Sequence, residues 1–296
     1  MSASKKVIAV VGASGQQGGS VVKALLADGS FTVRAITRSP EKHLGLADEV
    51  VAADLNDIAS LRGAFSGAHG VFVVTNFWEQ GTDEVQQARS AIEAAKSEGV
   101  KHFIWSTLPN VEEISNGKYV VPHFTGKAKV DGLVKDAGFD NYHFVVPPFF
   151  YQNLLELLAP QKQADGSMGW TFPLNPSKKA VHMGDITELG KIVAGVFSSP
   201  NAAPNGQYLP LVGDFLSFNE IINVLNMQGH KFTFTKVPAD VYATFYPGAE
   251  EIAQMFGYFE EYSYLGGVYA DYAVVSNRIS KMMPVSFAEW AQSNFK

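Results

Sequence analysis

The sequence predicts a doubly wound α/β fold: a parallel sheet with a second, smaller α/β lobe. Three observations carry this expectation. The apolar run Val7-Ile-Ala-Val-Val11 is followed at once by Gly12, Gly15 and Gly18, and then by an apolar-periodic segment. Strand and helix patterns alternate from there to residue 146, which is how a parallel sheet is wound. After residue 159 that alternation gives way to glycine, proline, serine and polar residues. The expected division is a nucleotide-binding lobe over 1–155, with 180–200 packing back on it, and a smaller lobe over 156–296.

Residues 7–11 suit a strand buried on both faces. The spacing G-x-x-G-x-x-G then leads into a helix over 20–27 that stops at Asp28-Gly29. Between a strand and a helix, such glycines let the backbone turn tightly and bring amides and a helix N-terminus against a diphosphate. Glycines also serve any tight turn, but with both flanks right the expectation here is the dinucleotide loop of a Rossmann fold. The second strand, 31–37, ends at Arg38-Ser39-Pro40. An acidic residue about 20 positions past the glycines takes the ribose hydroxyls of NAD, whereas an arginine there accommodates the 2′-phosphate of NADP. Arg38 stands at that position with no Asp or Glu between Phe31 and Pro40. The planar guanidinium fork suits phosphate, so the expected ligand is NADP(H).

A third strand, 49–53, ends at Asp54-Leu55, on the adenine side of such a fold. Asp54 has two readings there, a bond to the adenine amino group or the N-cap of the helix that follows. A fourth strand, 70–75, exits through Asn76-Phe77-Trp78, and a helix over 83–98 stops at Gly99. The fifth strand is 102–107. A helix over 121–137 stops at Gly138, and the sixth strand, 142–146, runs into Pro147-Pro148-Phe149-Phe150-Tyr151 and a helix reaching Leu158. Beyond it come loops or a hairpin around Gly169-Trp170, a strand over 180–183, and a helix over 186–197 capped by Asp185. The smaller lobe is expected to hold strands over 207–211 and 231–236 and helices over 217–225, 239–245 and 249–259.

Composition narrows the function. A net charge of −6 argues against direct nucleic-acid binding, which needs clustered Lys and Arg. No apolar run approaches the ~20 residues that span a bilayer. Met1-Ser-Ala-Ser-Lys-Lys6 leads straight into the first strand, so no signal peptide is expected. The absence of cysteine excludes disulfides, thiolate nucleophiles and Cys-zinc sites; no metal site is expected, and the cytoplasm is the expected compartment.

Ligands of open α/β sheets bind outside the carboxyl ends of the strands. His123 and Lys127, in His-Phe-Thr-Gly-Lys, share a helix face by their (i, i+4) spacing. That face is either solvated or turned to the cleft; in the second case Lys127 bonds the nicotinamide ribose and His123 serves as an acid. Phe77, Trp78, Phe149, Phe150 and Tyr151 either line a pocket for a small-molecule substrate or pack in the core. The aromatic run 256–264 is either core or a surface for a protein partner or a second copy.

Together, Gly12-x-x-Gly15-x-x-Gly18, Arg38, Thr75-Asn76-x-Trp78, His123-Phe-x-Gly-Lys127 and Asn153-Leu-Leu resemble the NmrA-like family of atypical short-chain dehydrogenase/reductases. Its redox-sensor branch, the HSCARG type, is the nearest in pattern, with Pro160-Gln-Lys162, Asp165-Gly166, Tyr246-Pro-Gly-Ala249 and Met255-Phe256 as further marks. The resemblance covers nearly the whole chain. It implies that Gly12, Ser14, Gly15, Gln17 and Gly18 hold the diphosphate and Arg38 the 2′-phosphate. Thr75, Asn76, Lys127, Pro148, Phe150 and Asn153 then fall on the ribose and nicotinamide side. Active short-chain dehydrogenases carry Tyr-x-x-x-Lys, but here the tyrosine position is His123. Ser106 matches the usual catalytic serine without that partner. The expected protein is therefore an NADP(H)-dependent redox sensor or, if His123, Lys127 and Ser106 do chemistry, a reductase of a small carbonyl, imine or quinone.

Overall fold

Parallel strands buried on both faces form the centre of the molecule, as the near-continuous apolar runs require. The computed structural model describes residues 4–267 and 269–296. The expected direct entry of residues 1–6 into the first strand thus falls partly on 1–3, outside the described residues. The first half runs β1 (Lys6–Val11), α1 (Gln16–Asp28), β2 (Phe31–Thr37), β3 (Glu49–Ala52), α2 (Ile58–Phe65), β4 (Ala68–Val73), α3 (Glu84–Ser97) and β5 (His102–Ser106). A short α4 (Val111–Ile114), α5 (Pro122–Asp136) and β6 (Asn141–Val146) complete it. Next come β7 (Phe149–Phe150), β8 (Gln161–Lys162), β9 (Met168–Phe172), β10 (Val181–Gly184), α6 (Leu189–Ser198), β11 (Tyr208–Pro210) and β12 (Asp214–Leu216). The chain closes with α7 (Phe218–Met227), β13 (Phe232–Lys236), α8 (Ala239–Tyr242), α9 (Ala249–Tyr262), α10 (Ala273–Ser280) and α11 (Phe287–Asn294).

The main sheet is all parallel, in the order β11-β6-β5-β4-β1-β2-β3. One face is covered by α1 and α6, with Val21, Leu25, Leu189 and Val193 fully buried between them. The other face is covered by α2, α3 and α5. A third core joins the small sheets β12-β10-β7 and β13-β9-β8 to α7, α9 and α11.

Besides α4, β12, α10 and α11, which were not expected, two expected elements take another place or form. Residues 207–211 were expected in the smaller lobe, but β11 extends the main sheet as its seventh strand by pairing with β6. Its three residues are too few to carry a pattern that distinguishes one sheet from another. The helix expected from the 149–151 aromatics to Leu158 is instead β7 and a single 3₁₀ turn, Tyr151–Leu154.

The return of β11 creates a buried polar contact. Tyr208 donates from Oη to Asp131 Oδ2 on α5 at 2.9 Å, while Asp131 Oδ1 has no partner among the described residues. Burial pushes the Asp131 carboxyl up to about 7, against the opposing pull of the Thr107 and Tyr208 hydroxyls. The folded state therefore holds this proton more tightly than the unfolded chain, so stability falls as pH rises from about 4 to 7. Between pH 5 and pH 8 this one group is expected to cost about 3 kcal/mol, since each tenfold difference in proton affinity is worth about 1.4 kcal/mol. Urea titrations at the two pH values check it: the loss should vanish in Asp131→Asn.

Candidate functional site

At the carboxyl ends of β1 to β4 the sheet opens into a cleft of about 690 Å³. It lies where the strand order reverses between β1 and β4, the ligand position of doubly wound sheets. Its floor is the glycine turn. Gly12 has φ of 69°, in the left-handed region that a side chain disfavours, and Gly15 donates its amide to Gly12 O at 2.9 Å. A Cβ on Gly18 would sit 2.2 Å from Gly12 O, so only glycine lets α1 start this close to the turn. The first turn of α1 carries no acidic residue, and its cap, Gly15, offers no side-chain acceptor. The amides and the positive end of the helix dipole are left for an anion.

Of the residues expected to hold a cofactor, Gly12, Ser14, Gly15, Gln17, Gly18, Arg38, Asp54, Leu55, Thr75, Asn76 and Phe150 line this cleft. Lys42, His43 and Glu79 line it as well, at the Arg38 end or beside it, and were not foreseen. Lys42 and His43 follow Arg38 closely enough that a basic run could have flagged them. Glu79 lies 41 residues from Arg38, yet the two are ion-paired, and this contact holds the guanidinium above its usual range. Of the two readings of Asp54, the N-cap is overturned. Asp57 caps α2, accepting from the amides of Ala59 and Ser60 at 3.0 and 3.3 Å, whereas Asp54 accepts from Asn56.

Several other candidates do not line the cleft. Pro148, Asn153 and His123 stand outside it, as do Phe77 and Trp78. Ser106 is fully buried and donates its hydroxyl to Gln17 Oε1 at 2.7 Å, so it braces the glycine loop from behind. Lys127 was expected either solvated or reaching into the cleft, and it is neither. It is buried, and Nζ donates to Thr75 O at 2.9 Å, to Thr75 Oγ1 at 3.1 Å and to Glu84. Burial lowers the ammonium from its ordinary range, opposed by the attraction of Glu84. All three ammonium protons are thereby spent on the exit of β4 and the start of α3. The face of α5 points at α3, and no local spacing could reveal a partner 43 residues away.

His123, four residues before Lys127 on the first turn of α5, is also mostly buried. Its Nδ1 donates to Glu251 Oε1 at 2.6 Å, and the same oxygen accepts from the His123 amide at 3.1 Å. A carboxylate on Nδ1 fixes the tautomer of the ring. Burial would raise the Glu251 carboxyl, but the two bonds from His123 outweigh it and hold the group below its usual range. The ring also packs against Phe77 and Trp78, with centroids 5.8 and 5.0 Å away. Glu251 stands on α9, 128 residues on, and nothing in its sequence neighbourhood announces the contact.

The expected substrate lining shrinks accordingly. Phe149 and Tyr151 are core: Phe149 packs on Phe259 and Tyr264, and Tyr151 packs on Phe287 and Trp290 while donating to Asp214 and Val285 O. Their alternation follows β7 into the third core, which claims the apolar side chains first. Trp78 remains 58% exposed. In the run 256–264, four of the five aromatics, Phe256, Tyr258, Phe259 and Tyr264, are buried in the core.

Fold and cleft together define a doubly wound α/β protein with a glycine-turn anion site at the sheet's switch point. The chain belongs to the NmrA-like family, which it matches over residues 4–291. It is 29% identical to an NmrA-like family domain-containing protein of Dictyostelium discoideum, over 99% of each chain. It is 30% identical to an NmrA-like family domain-containing oxidoreductase of Aspergillus hancockii, covering 87% of this chain and 83% of that one. Its fold superimposes on that of NmrA, a negative transcriptional regulator, in complex with NADP, with a TM-score of 0.82, 22% identity, and 98% and 95% of the two chains covered.

Proposed function

We propose that the cleft binds NADP(H) and that the protein is a redox-sensing regulator of the HSCARG type, whose state follows the NADPH/NADP ratio. The observation that carries the ligand is Arg38 at the end of β2, in a cleft floored by the glycine turn and the bare start of α1. The NADP complex of the structural neighbour supports it. Calorimetry with NADPH and NADH tests it. Arg38→Ala is expected to lose about 10- to 100-fold in NADPH affinity, the worth of a charge-assisted hydrogen bond, and to leave NADH unchanged. Equal wild-type affinities for the two nucleotides would overturn the assignment.

The regulatory half rests on what the chemistry candidates are doing. Lys127 is saturated by Thr75 and Glu84, and Ser106 donates to Gln17. Neither presents a free proton to the cleft. Regulation demands that the reduced and oxidised cofactors differ in affinity for two states of the protein or of its complex with a partner. Sedimentation and partner binding that are identical with NADPH and NADP would end this reading.

One observation favours a reductase instead. An imidazole whose Nδ1 is held by a carboxylate can take up and return a proton at Nε2, as an acid–base residue does. NADPH oxidation by a quinone and carbonyl panel, lost in His123→Ala, would support it. The name of the Aspergillus hancockii relative, an oxidoreductase, points the same way.

A further inference from the structure

Between β4 and α3 the chain makes a loop, residues 74–83, that faces two ways. Asn76 anchors it: Oδ1 accepts from the Trp78 amide at 3.2 Å and its carbonyl from the Glu79 amide at 3.3 Å. One side of this turn presents Phe77 and Trp78 to the His123 ring, which Glu251 ties to α9. The other side presents Glu79 to Arg38 across the mouth of the cleft, with both side chains partly open to water. Glu79 thus lies on the group that a 2′-phosphate would need.

We propose that Glu79 is a built-in competitor for the 2′-phosphate of the cofactor, and that its displacement reports NADP(H) to the Trp78 loop. The inference rests on the reading of the cleft as an NADP(H) site. A phosphate dianion offers the guanidinium three acceptor oxygens and more charge than a carboxylate, so it wins Arg38 at the cost of the Arg38–Glu79 pair. NAD(H) has a hydroxyl at that place and leaves the pair closed. Glu79 thereby does two things: it weakens NADP(H) binding modestly, and it makes the position of the loop depend on the phosphate rather than on nucleotide occupancy alone. The loop packs on His123, so the signal has a physical route to α9 through the His123–Glu251 bond.

The experiment is a titration of the full chain with NADP and with NAD, read by calorimetry and by tryptophan emission. Trp105, Trp170 and Trp290 are buried, and Trp78 is exposed, so Trp78→Phe identifies its share of the signal. The wild type is expected to shift its Trp78 emission with NADP and not with saturating NAD. Glu79→Gln and Glu79→Ala are expected to bind NADP about two- to fivefold more tightly, as the loss of an exposed competing ion pair allows, with NAD unchanged. In both variants the NADP-induced emission change should shrink, the loop being already released. If the variants bind NADP no better than the wild type, while the wild type still prefers NADP, the competitor role is overturned and the cofactor reading stands. If NADP induces the same Trp78 change as NAD, the phosphate-reporting role falls. If the wild type binds neither nucleotide, or both equally, the cofactor reading itself fails and this inference with it.

Discussion

Lys127→Met is expected to destabilise the protein by about 3–5 kcal/mol, because it leaves the Glu84 carboxylate buried without its cation. Glu84 is only 5% exposed, and among the described residues its Oε2 already has no partner. The remaining acceptor contact is the Thr75 hydroxyl, which donates to Oε1 at 2.6 Å. One hydroxyl does not replace an ammonium. The variant Glu84→Gln in the Lys127→Met background should recover most of the loss, since the charge left behind disappears. Urea denaturation of the two single variants and the double variant measures the coupling directly. A loss below about 1 kcal/mol for Lys127→Met, the range of an exposed pair, would mean that the pair is not buried in solution. Nucleotide binding should weaken as well, because Thr75 and Asn76 line the cleft and Lys127 holds the Thr75 carbonyl in place.

The second large effect belongs to the glycine turn. Gly18→Ala places a Cβ 2.2 Å from the Gly12 carbonyl oxygen, a backbone atom that cannot rotate away. Helix α1 must retreat, at an overpacking cost of about 1–3 kcal/mol in stability. Its first-turn amides retreat with it. Nucleotide affinity is expected to fall by roughly a hundredfold, which corresponds to about 3 kcal/mol. Gly19→Ala is the control: its Cβ would approach Ala13 O only to 3.4 Å, so the variant should keep the cleft. Thermal melts with and without NADPH separate the two contributions. A Gly18→Ala protein that binds NADPH as the wild type does would remove the turn from the site.

The nucleotide half was legible because its signals are local. A strand, three glycines, a helix and an arginine about 20 residues on are each readable in a short window, and the cleft gathers Gly12, Gly15, Gly18 and Arg38 as expected. The reading blurred where a residue's role depends on a distant partner. His123 and Lys127 do share a face of α5, as their spacing required. That face meets Glu84 and Glu251, however, and their contacts are made by the packing of α3 and α9. A spacing rule reports which way two side chains point relative to each other and is silent on what stands opposite. The same limit explains Tyr151: an aromatic beside a strand end reads equally as pocket wall or core, and its Asp214 and Val285 partners decide for core. Asp54 and Asp57 show a smaller limit: of the two readings of Asp54, the cap lay one turn early within a run of capping residues.

The pairing of β11 with β6 has a consequence for synthesis. A ribosome delivers six strands of the main sheet by residue 146, but the strand that closes its outer edge arrives only with residues 208–210. Until then β6 presents unpaired amides and carbonyls beside apolar side chains such as Phe144 and Val145, which the finished sheet buries completely. An open, apolar strand edge is a template for pairing with another chain. The nascent protein therefore has a window of about 60 residues, some 3–12 seconds at typical elongation rates, in which β6 is an open edge. Ribosome stalling between those points should increase aggregation more than stalling after Pro210.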